Sequence, residues 1–431
     1  MSVGSSSSLP PSLYAETAHA LPVTPPLDGD RAVSVAIIGG GFAGLSAALH
    51  LAQAGVDTCL LEAHEPGWGA SGRNGGQVNP GLKFNPDELL TRFGEDLGRR
   101  MIAMAWGAPD FTFDLIRRLD IDCDARQNGT LRAATSAVTA EAVRTSAAQC
   151  AAHGMPTRLL DRDAVFAATG TGRYPAALLD PRGGDLHPLN YARGLAKAAQ
   201  AAGAKIHGGS RVISARRQNG KWKLQTKTAS VTADKLLVVT NAYADELRPR
   251  LKQSLVPIFS SIVATEPLPD SLAARILPQR PVLYESGHIT VYYRIDSENR
   301  LLMGGRGPQR SIMGPTGALA YLQRYAAALW PELKDIRWTH AWNGQLAITP
   351  DHLPHLHAPD EDVLIYLGCN GRGVALATAM GKQLAQRLIG GPSASIDLPF
   401  TEIQPMRFHA FWPIGAHAAM LWGRMKDRLG I

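Results

Sequence analysis

Six residues near the start of the chain, Gly39-Gly40-Gly41-Phe42-Ala43-Gly44, set three glycines at Gly-x-Gly-x-x-Gly spacing. That spacing suits a turn built around a pyrophosphate. Gly39 permits the tight bend, Gly41 lets the backbone come close to phosphate oxygens, and Gly44 lets the following helix pack on its strand. The helix start then faces the phosphates with free N–H groups and a positive dipole end. Eighteen residues past Gly44 stands Glu62, followed by Ala63. An acid there can accept hydrogen bonds from both hydroxyls of a ribose and would repel a 2′-phosphate, which disfavours NADP. Alone, the glycine spacing also fits a purely structural turn; its flanking elements and the placed acid make the case for a dinucleotide.

A second Gly-rich run, Gly67-Trp68-Gly69-Ala70-Ser71-Gly72-Arg73-Asn74-Gly75-Gly76-Gln77, follows closely. NAD-binding folds usually continue there with a simple helix, so a glycine-rich loop points to a longer cofactor. Ser71 and Arg73 could serve phosphate oxygens, and the Asn74–Gln77 backbone could line a flat ring system. Near the other end, Gly368-Cys369-Asn370-Gly371-Arg372-Gly373 leads from an apolar strand into a helix. It reads either as another cofactor turn or as a plain strand-to-helix connection.

These turns need elements to hold them. Val33–Ile38 reads as a buried strand, Phe42–Ala54 as a helix with Leu45, Ala48, Leu49 and Ala52 at helical spacing, and Val56–Glu62 as a second strand. Together they open an α/β sheet as a βαβ unit. The pattern from 86 to 154 is helical, and Leu186–Ala202 is a further helix. Trp222–Leu224 and Val231 are expected to pair across a turn at Asn219-Gly220. Lys235–Thr240 and Val363–Leu367 are buried strands, 256–306 is strand-rich, and Ala318–Leu329 and Val374–Ile389 are helices. The expected class is α/β: a Rossmann-type, glutathione-reductase-like domain carrying an inserted α+β domain on an antiparallel sheet. The division is an extended arm over 1–30, a nucleotide domain over 31–90, 155–255 and 340–400, a second domain over 91–154 and 256–339, and an apolar and basic tail over 401–431.

Bulk composition bounds the rest. With 431 residues, the chain is too long for one ordinary core. Its 45% hydrophobic and 19% charged residues are a globular balance. The net charge of +7 comes from scattered residues without the basic stripe that nucleic-acid binding needs. Cys59, Cys123, Cys150 and Cys369 are far apart, which disfavours a disulfide framework and a cysteine metal site and fits a reducing cytoplasm. His187, His288, His340 and His352 show no metal spacing either, so no metal is expected. Residues 1–30 carry serines and prolines without a basic start and apolar core, and read as a partly ordered arm rather than a secretory signal.

Taken together, Gly39–Gly44, Trp68–Gln77, Pro80-Gly81-Leu82-Lys83, Trp342-Asn343-Gly344 with Thr349-Pro350-Asp351, and Gly368–Gly373 resemble the FAD-dependent D-amino-acid oxidase and sarcosine oxidase superfamily, most of all its γ-glutamylputrescine oxidase branch. Tyr14 and the Pro22–Asp30 stretch resemble that branch's arm. The resemblance implies FAD held across three chain segments. Val212 offers its backbone to the adenine, Thr240-Asn241-Ala242 pass near the diphosphate, and Gly371-Arg372-Gly373-Val374 bring amides and a helix start to the flavin's N1–O2 edge, where a reduced flavin carries negative charge. Some relatives attach FAD through a cysteine seven residues before the Asp of a (Ser/Thr)-Pro-Asp motif. That position is Gly344 here, which predicts non-covalent FAD.

The reaction so implied is oxidation of a neutral amine by hydride transfer to the flavin, hydrolysis of the imine to an aldehyde, and reoxidation by O2 to hydrogen peroxide. Tyr284, Tyr292, Tyr293 and Arg294 are candidates for the pocket, or simply for a packed strand. Trp342 either stacks in the pocket or packs in the core, and Lys83 either assists oxygen reduction or sits solvated at the surface. Sarcosine oxidases hold the substrate carboxylate with a lysine and an arginine, whose places fall at Ala375 and about at Gln77. The missing cations disfavour a carboxylate next to the reacting carbon and leave room for a distant one, as in γ-glutamyl polyamines such as γ-glutamylputrescine, a substrate of polyamine catabolism. The alternative is a dehydrogenase of amino acids or N-methyl amino acids that passes electrons to a quinone. The tail holds Phe408, Phe411, Trp412, Leu421 and Trp422 among Arg407, Arg424, Lys426 and Arg428, and reads as a helix closing on its own domain or on a partner in a homodimer. A membrane contact is the less favoured reading.

Overall fold

A computed structural model describes residues 9–429 except 245, 246, 248, 288, 313, 315 and 316, and leaves the side chains at 249, 424 and 427–429 undescribed. His288 and the Ser5–Ser8 start of the arm therefore lie outside the described residues. The framework is two eight-stranded sheets. In the first, strand Arg31–Ile38 pairs in parallel with Ser230–Val238 on one side and Thr58–Leu61 on the other. Val363–Leu367 and Lys205–His207 extend the parallel set outward. Val35, Ala36, Ile37 and Ile38 are all buried, as an uninterrupted apolar run should be in a strand covered on both faces.

Helix Phe42–Gln53 lies against this sheet and between helices Pro188–Ala201 and Gly373–Gly390. Gly381 lets helix Gly373–Gly390 pack closely here, because a Cβ there would stand 2.5 Å from the Cβ of Ser46. Asn219 and Gly220 both take left-handed conformations and turn strand Ser214–Gln218 into Lys221–Gln225. The expected turn is therefore present, but it joins that hairpin. Val231 meets Leu224 from the other side, through antiparallel pairing of Lys221–Gln225 with Ser230–Val238.

The second sheet runs Trp338–Ile348, Val256–Thr265, Leu301–Arg306, Tyr292–Ile295, Val282–Ser286, Thr130–Ala134, Ala177–Asp180, Arg158–Leu160 in spatial order. Its pairs are antiparallel except for Val282–Ser286 with Thr130–Ala134. Sequence and structure differ here in four places. The helical expectation over 86–154 is interrupted by strand Thr130–Ala134, between helices Pro86–Arg118 and Ala137–Ala152. The segment 155–255 holds strands of both sheets, and 340–348 belongs to the second. Helix Pro86–Arg118 buries Met101, Ile102 and Ala105 in one core with Leu49 and Leu376 of the first layer. In each case the sheet or layer is chosen by partners distant in sequence, which local patterns do not carry.

The arm is docked throughout its described length. Ser12 caps a short helix, Leu13–Thr17. Tyr14 is fully buried, edge-on to His187 at 4.9 Å and to Trp342 at 5.1 Å. Further along, the Leu27 amide donates to Ser210 Oγ at 2.8 Å. At the other end, helix Trp412–Leu429 is tethered near its start, where the Met406 amide donates to Gln253 O and His409 Nε2 bonds Leu255 O. Its Ile414, Leu421 and Trp422 are exposed, while its Met420 Sδ lies 3.9 Å from Gln309 Nε2. Among the described residues no helix is long and apolar enough to cross a membrane.

Candidate cofactor and substrate site

A cavity of about 630 Å³ opens between the two sheets, within the ~300–1,000 Å³ usual for ligand sites. One end of it is the first glycine turn. Gly39 takes φ +114°, which a side chain would resist, and a Cβ at Gly44 would stand 2.0 Å from the Gly39 carbonyl oxygen. The Gly41 N-cap has no side chain to cap helix Phe42–Gln53, and of its first amides only that of Phe42 is taken, by Ser71 Oγ, so the Ala43 and Gly44 amides stay open to an incoming anion. The helix Gly373–Gly390 also starts at this cavity, and its N-cap Arg372 likewise makes no capping bond. Two uncapped helix starts aimed at one space are what a diphosphate and an electron-rich ring need.

The second glycine loop is folded back onto the first. The Gly67 amide donates to Gly40 O at 2.9 Å, and the Phe42 amide donates to Ser71 Oγ at 3.1 Å. Ser71 keeps its own hydroxyl proton for a ligand. Asn74 shapes the loop: its Oδ1 accepts from the Gly76 amide at 2.8 Å, and its Nδ2 donates to Ser71 O at 2.8 Å. Arg73 is largely spent within the protein. It donates to Gly69 O, Asn343 O and the Tyr243 hydroxyl, and its guanidinium lies 4.8 Å from the Trp68 ring centroid.

Glu62 is half-buried, with its carboxylate folded onto the Gly40 amide at 2.6 Å and the His64 amide at 3.0 Å. Burial pushes its pKa up, against the pull of those amides and of the Ala63 N–H. Ribose hydroxyls would add donors to a carboxylate that burial disfavours. On the opposite wall, Asn241 Oδ1 accepts from the Gly368 amide at 2.9 Å, tying the second cofactor segment to the third. Tyr366 presents a buried hydroxyl to the cavity with no hydrogen-bond partner among the described residues. The glycine turn, the uncapped helices and this orphaned hydroxyl fit a bound dinucleotide.

Gly41, Phe42, Ala43, Ala70, Ser71, Arg73, Asn74, Gly75, Gln77, Asn241, Gly344, Gly371, Arg372, Gly373 and Val374 all line the cavity, as do Tyr284, Tyr292 and Lys83. Gly39, Gly44 and Gly76 shape the turns from behind. Glu62, Ala63, Val212, Thr240 and Ala242 stand off the wall, with Val212 and Ala242 packed in the first sheet's core. Trp342 also misses the cavity. It is a core residue beside Tyr14 whose indole N–H donates to Arg73 O at 3.1 Å, so it braces the loop instead of lining the pocket. Tyr293 is likewise buried on the far side of its strand, bonded to Tyr174.

The aromatic wall has a defined order. Tyr292 lies against Gly75, where a Cβ would meet its ring at 2.7 Å, and its hydroxyl bonds Ser260 Oγ at 2.9 Å. Burial raises the Tyr292 pKa, so it stays a neutral phenol in the physiological range. Tyr284 accepts a hydrogen bond from Arg372 at 2.9 Å. Gln77 turns its amide to Leu283 O at 3.0 Å and Tyr293 O at 3.3 Å. Lys83 lines the cavity with its side chain exposed, and partial loss of hydration against the wall, followed by repulsion from Arg372, Arg306 and Arg132, lowers its pKa to about 7.

Behind the loop lies a network that the linear sequence did not suggest. Arg294 donates to Gly75 O at 2.8 Å, to Asp185 Oδ2 at 2.7 Å and to the Tyr14 hydroxyl at 3.2 Å. Asp185 is 1% exposed and also takes Arg126 at 2.6 Å. Arg294, one of the candidates for the pocket or for a packed strand, holds the loop that forms the pocket.

A family model described as "DAO: FAD dependent oxidoreductase" matches residues 34–387. The chain is 31% identical to "Probable oxidoreductase OrdL" of Rhizobium meliloti (strain 1021), covering 97% of each chain. It is 30% identical to "Gamma-glutamylputrescine oxidoreductase" of Escherichia coli (strain K12), covering 97% of this chain and 99% of that one. Among solved structures, glycine oxidase from Geobacillus kaustophilus superposes with a TM-score of 0.75 at 22% identity, over 88% of this chain and 99% of its own.

Proposed function

The chain belongs to the DAO family of FAD dependent oxidoreductases, and from that premise we propose that it oxidises an amine whose carboxylate lies away from the reacting carbon, with a γ-glutamylated polyamine such as γ-glutamylputrescine as the favoured substrate. The observation that carries this reading is at Gln77 and Ala375, where sarcosine oxidases place carboxylate-binding cations. Gln77 is neutral and its amide is engaged by the second sheet, while Ala375 is 1% exposed in the core. The E. coli relative, named for γ-glutamylputrescine, agrees with it.

Bound FAD supplies the hydride acceptor and, with O2, the route to hydrogen peroxide. The chain's own residues prepare the substrate. The Tyr284 and Tyr292 rings desolvate an amine between them, which favours its neutral, reactive form. Neither phenol needs to act as a base, because the free amine carries its own lone pair. The uncapped start of helix Gly373–Gly390 favours negative charge near the Gly371–Gly373 turn. The unpaired ammonium of Lys83 is placed to favour charge passing to oxygen.

FAD is held without a covalent bond in this reading, since Gly344 offers no thiol. Acid precipitation of the holoprotein should leave all the flavin in the supernatant. Flavin retained in the pellet would contradict this and direct attention to Cys369 or Cys150, which line the cavity. For the reaction, turnover with γ-glutamylputrescine in air should release one peroxide per aldehyde. Aldehyde formed only when a quinone-like dye is added would replace the oxidase with a dehydrogenase.

A further inference from the structure

Four cations share the cavity wall with the aromatic residues: Lys83, Arg132, Arg306 and Arg372. None has a carboxylate partner among the described residues. Arg372 spends its guanidinium on the Tyr284 hydroxyl and on Pro80 O. Arg132 donates to Ser286 Oγ and Ser146 Oγ. The side chains of Lys83 and Arg306 have no hydrogen-bond partner at all among the described residues. The two acids on the same wall are already committed: Asp180 takes both guanidinium arms of Arg182, and Glu285 accepts from Tyr174 and Tyr325.

Four cations lining one cavity, with no carboxylate partner among the described residues, repel one another at a cost. Burial lowers the pKa even of the Arg306 guanidinium. An entering anion would relieve that repulsion. The cofactor's diphosphate has its own receptors at the glycine turn, Ser71 and the helix start. Arg132 and Arg306 belong to the second sheet, as Tyr284 and Tyr292 do, which places them with the substrate. Arg306 ends strand Leu301–Arg306, next to the strand that carries Tyr292.

We propose that Arg306 and Lys83 bind a free carboxylate of the substrate, so that this enzyme selects amines bearing an anionic acyl group and rejects free polyamines. The inference deepens the reading of the reaction above and rests on it for the amine. Arg306 supplies a permanent charge. Arg132 and Arg372 add positive potential to the same space, which repels a di- or tricationic polyamine before any contact forms. Selectivity thus comes from attraction of one charge and repulsion of another within a single cavity.

The test uses holoenzyme and two kinds of probe. Glutarate has no amine, so its binding, read as a perturbation of the flavin's visible spectrum, does not depend on turnover. Arg306→Met should weaken glutarate by about 10- to 150-fold, the range for a hydrogen bond to a charged group, and Lys83→Met by about 10-fold. Arg306→Lys should recover part of the loss. The second probe is a pair: γ-glutamylputrescine and its analogue with the carboxylate converted to a primary amide. Wild type should prefer the acid in kcat/KM, and Arg306→Met should collapse that preference towards one.

A pH series adds an independent readout. The groups facing the Lys83 ammonium are Arg372, Arg306, Arg132, Cys369 and His352. Its charge is present below about pH 7 and lost above, and a bound anion raises its pKa. Glutarate should therefore bind with proton uptake above pH 7 and weaken as the pH rises, and Lys83→Met should flatten that slope. Wild type reduced equally well by acid and amide would overturn the inference while leaving the amine reading intact. Glutarate binding through Arg306 in a protein that no amine reduces would uphold the subsite and defeat the amine reading.

Discussion

Arg294→Met should destabilise the protein by about 3–5 kcal/mol, the usual result of removing one partner from a buried ion pair. Asp185 is 1% exposed. Without Arg294 it keeps only Arg126, whose side chain is 25% exposed. The same change frees the Gly75 carbonyl and the Tyr14 hydroxyl, so the 74–78 loop and the arm loosen together. Urea unfolding of the holoprotein, followed by tryptophan and flavin fluorescence, reads the loss. Adding Asp185→Asn removes the stranded charge and should return part of it. A midpoint shift worth less than about 1 kcal/mol would mean that the network is dispensable.

Gly44→Ala should leave a folded protein that purifies nearly colourless. A Cβ at 44 would stand 2.0 Å from the Gly39 carbonyl and 3.1 Å from Val239 Cγ2. The first of these is backbone and cannot rotate away, so the turn must open where it meets the cofactor. Overpacking of this kind costs about 1–3 kcal/mol, and if the strain falls on the bound form, FAD binding weakens by up to about 100-fold. Gly107→Ala is the control. It lies within helix Pro86–Arg118 with nothing within 4 Å of its added Cβ, and alanine favours a helix interior. Titration of apoprotein with FAD separates the two. Equal affinities would show that the turn is more tolerant than its contacts imply.

The parts of this site that could be read in the sequence are local ones. The glycine turns, the βαβ start and the Gly371–Gly373 connection each fit within a few residues, and their residue types are dictated by backbone conformation and close approach. Strand Thr130–Ala134 could not be read in the same way. Its Ala-rich neighbourhood is helical by propensity, and it becomes a strand through Val282–Ser286 and Ala177–Asp180. The Arg294–Asp185 pair spans 109 positions, and nothing near either residue marks it. Trp342 was ambiguous because an aromatic residue beside a cofactor motif reads the same whether it faces a pocket or a core. Arg306 carried no motif at all. Only the absence of a side-chain partner among the described residues singles it out.

Gln77 shows how one position can carry both kinds of information. As a sequence feature it marked a missing cation. In the fold, its amide bonds to two carbonyls of the second sheet, so the neutral side chain is a structural element there as well as a departure from sarcosine oxidases.

The central claim is most directly tested by anaerobic reduction of the bound flavin, followed at its visible absorption band. Three substrates are mixed separately with holoenzyme: γ-glutamylputrescine, putrescine and sarcosine. The account predicts rapid bleaching by the first, and slow or no bleaching by the other two, putrescine for want of a carboxylate and sarcosine because its carboxylate adjoins the reacting carbon. Bleaching by sarcosine alone would contradict it, and would show that the neutral Gln77 and Ala375 do not exclude a simple amino acid.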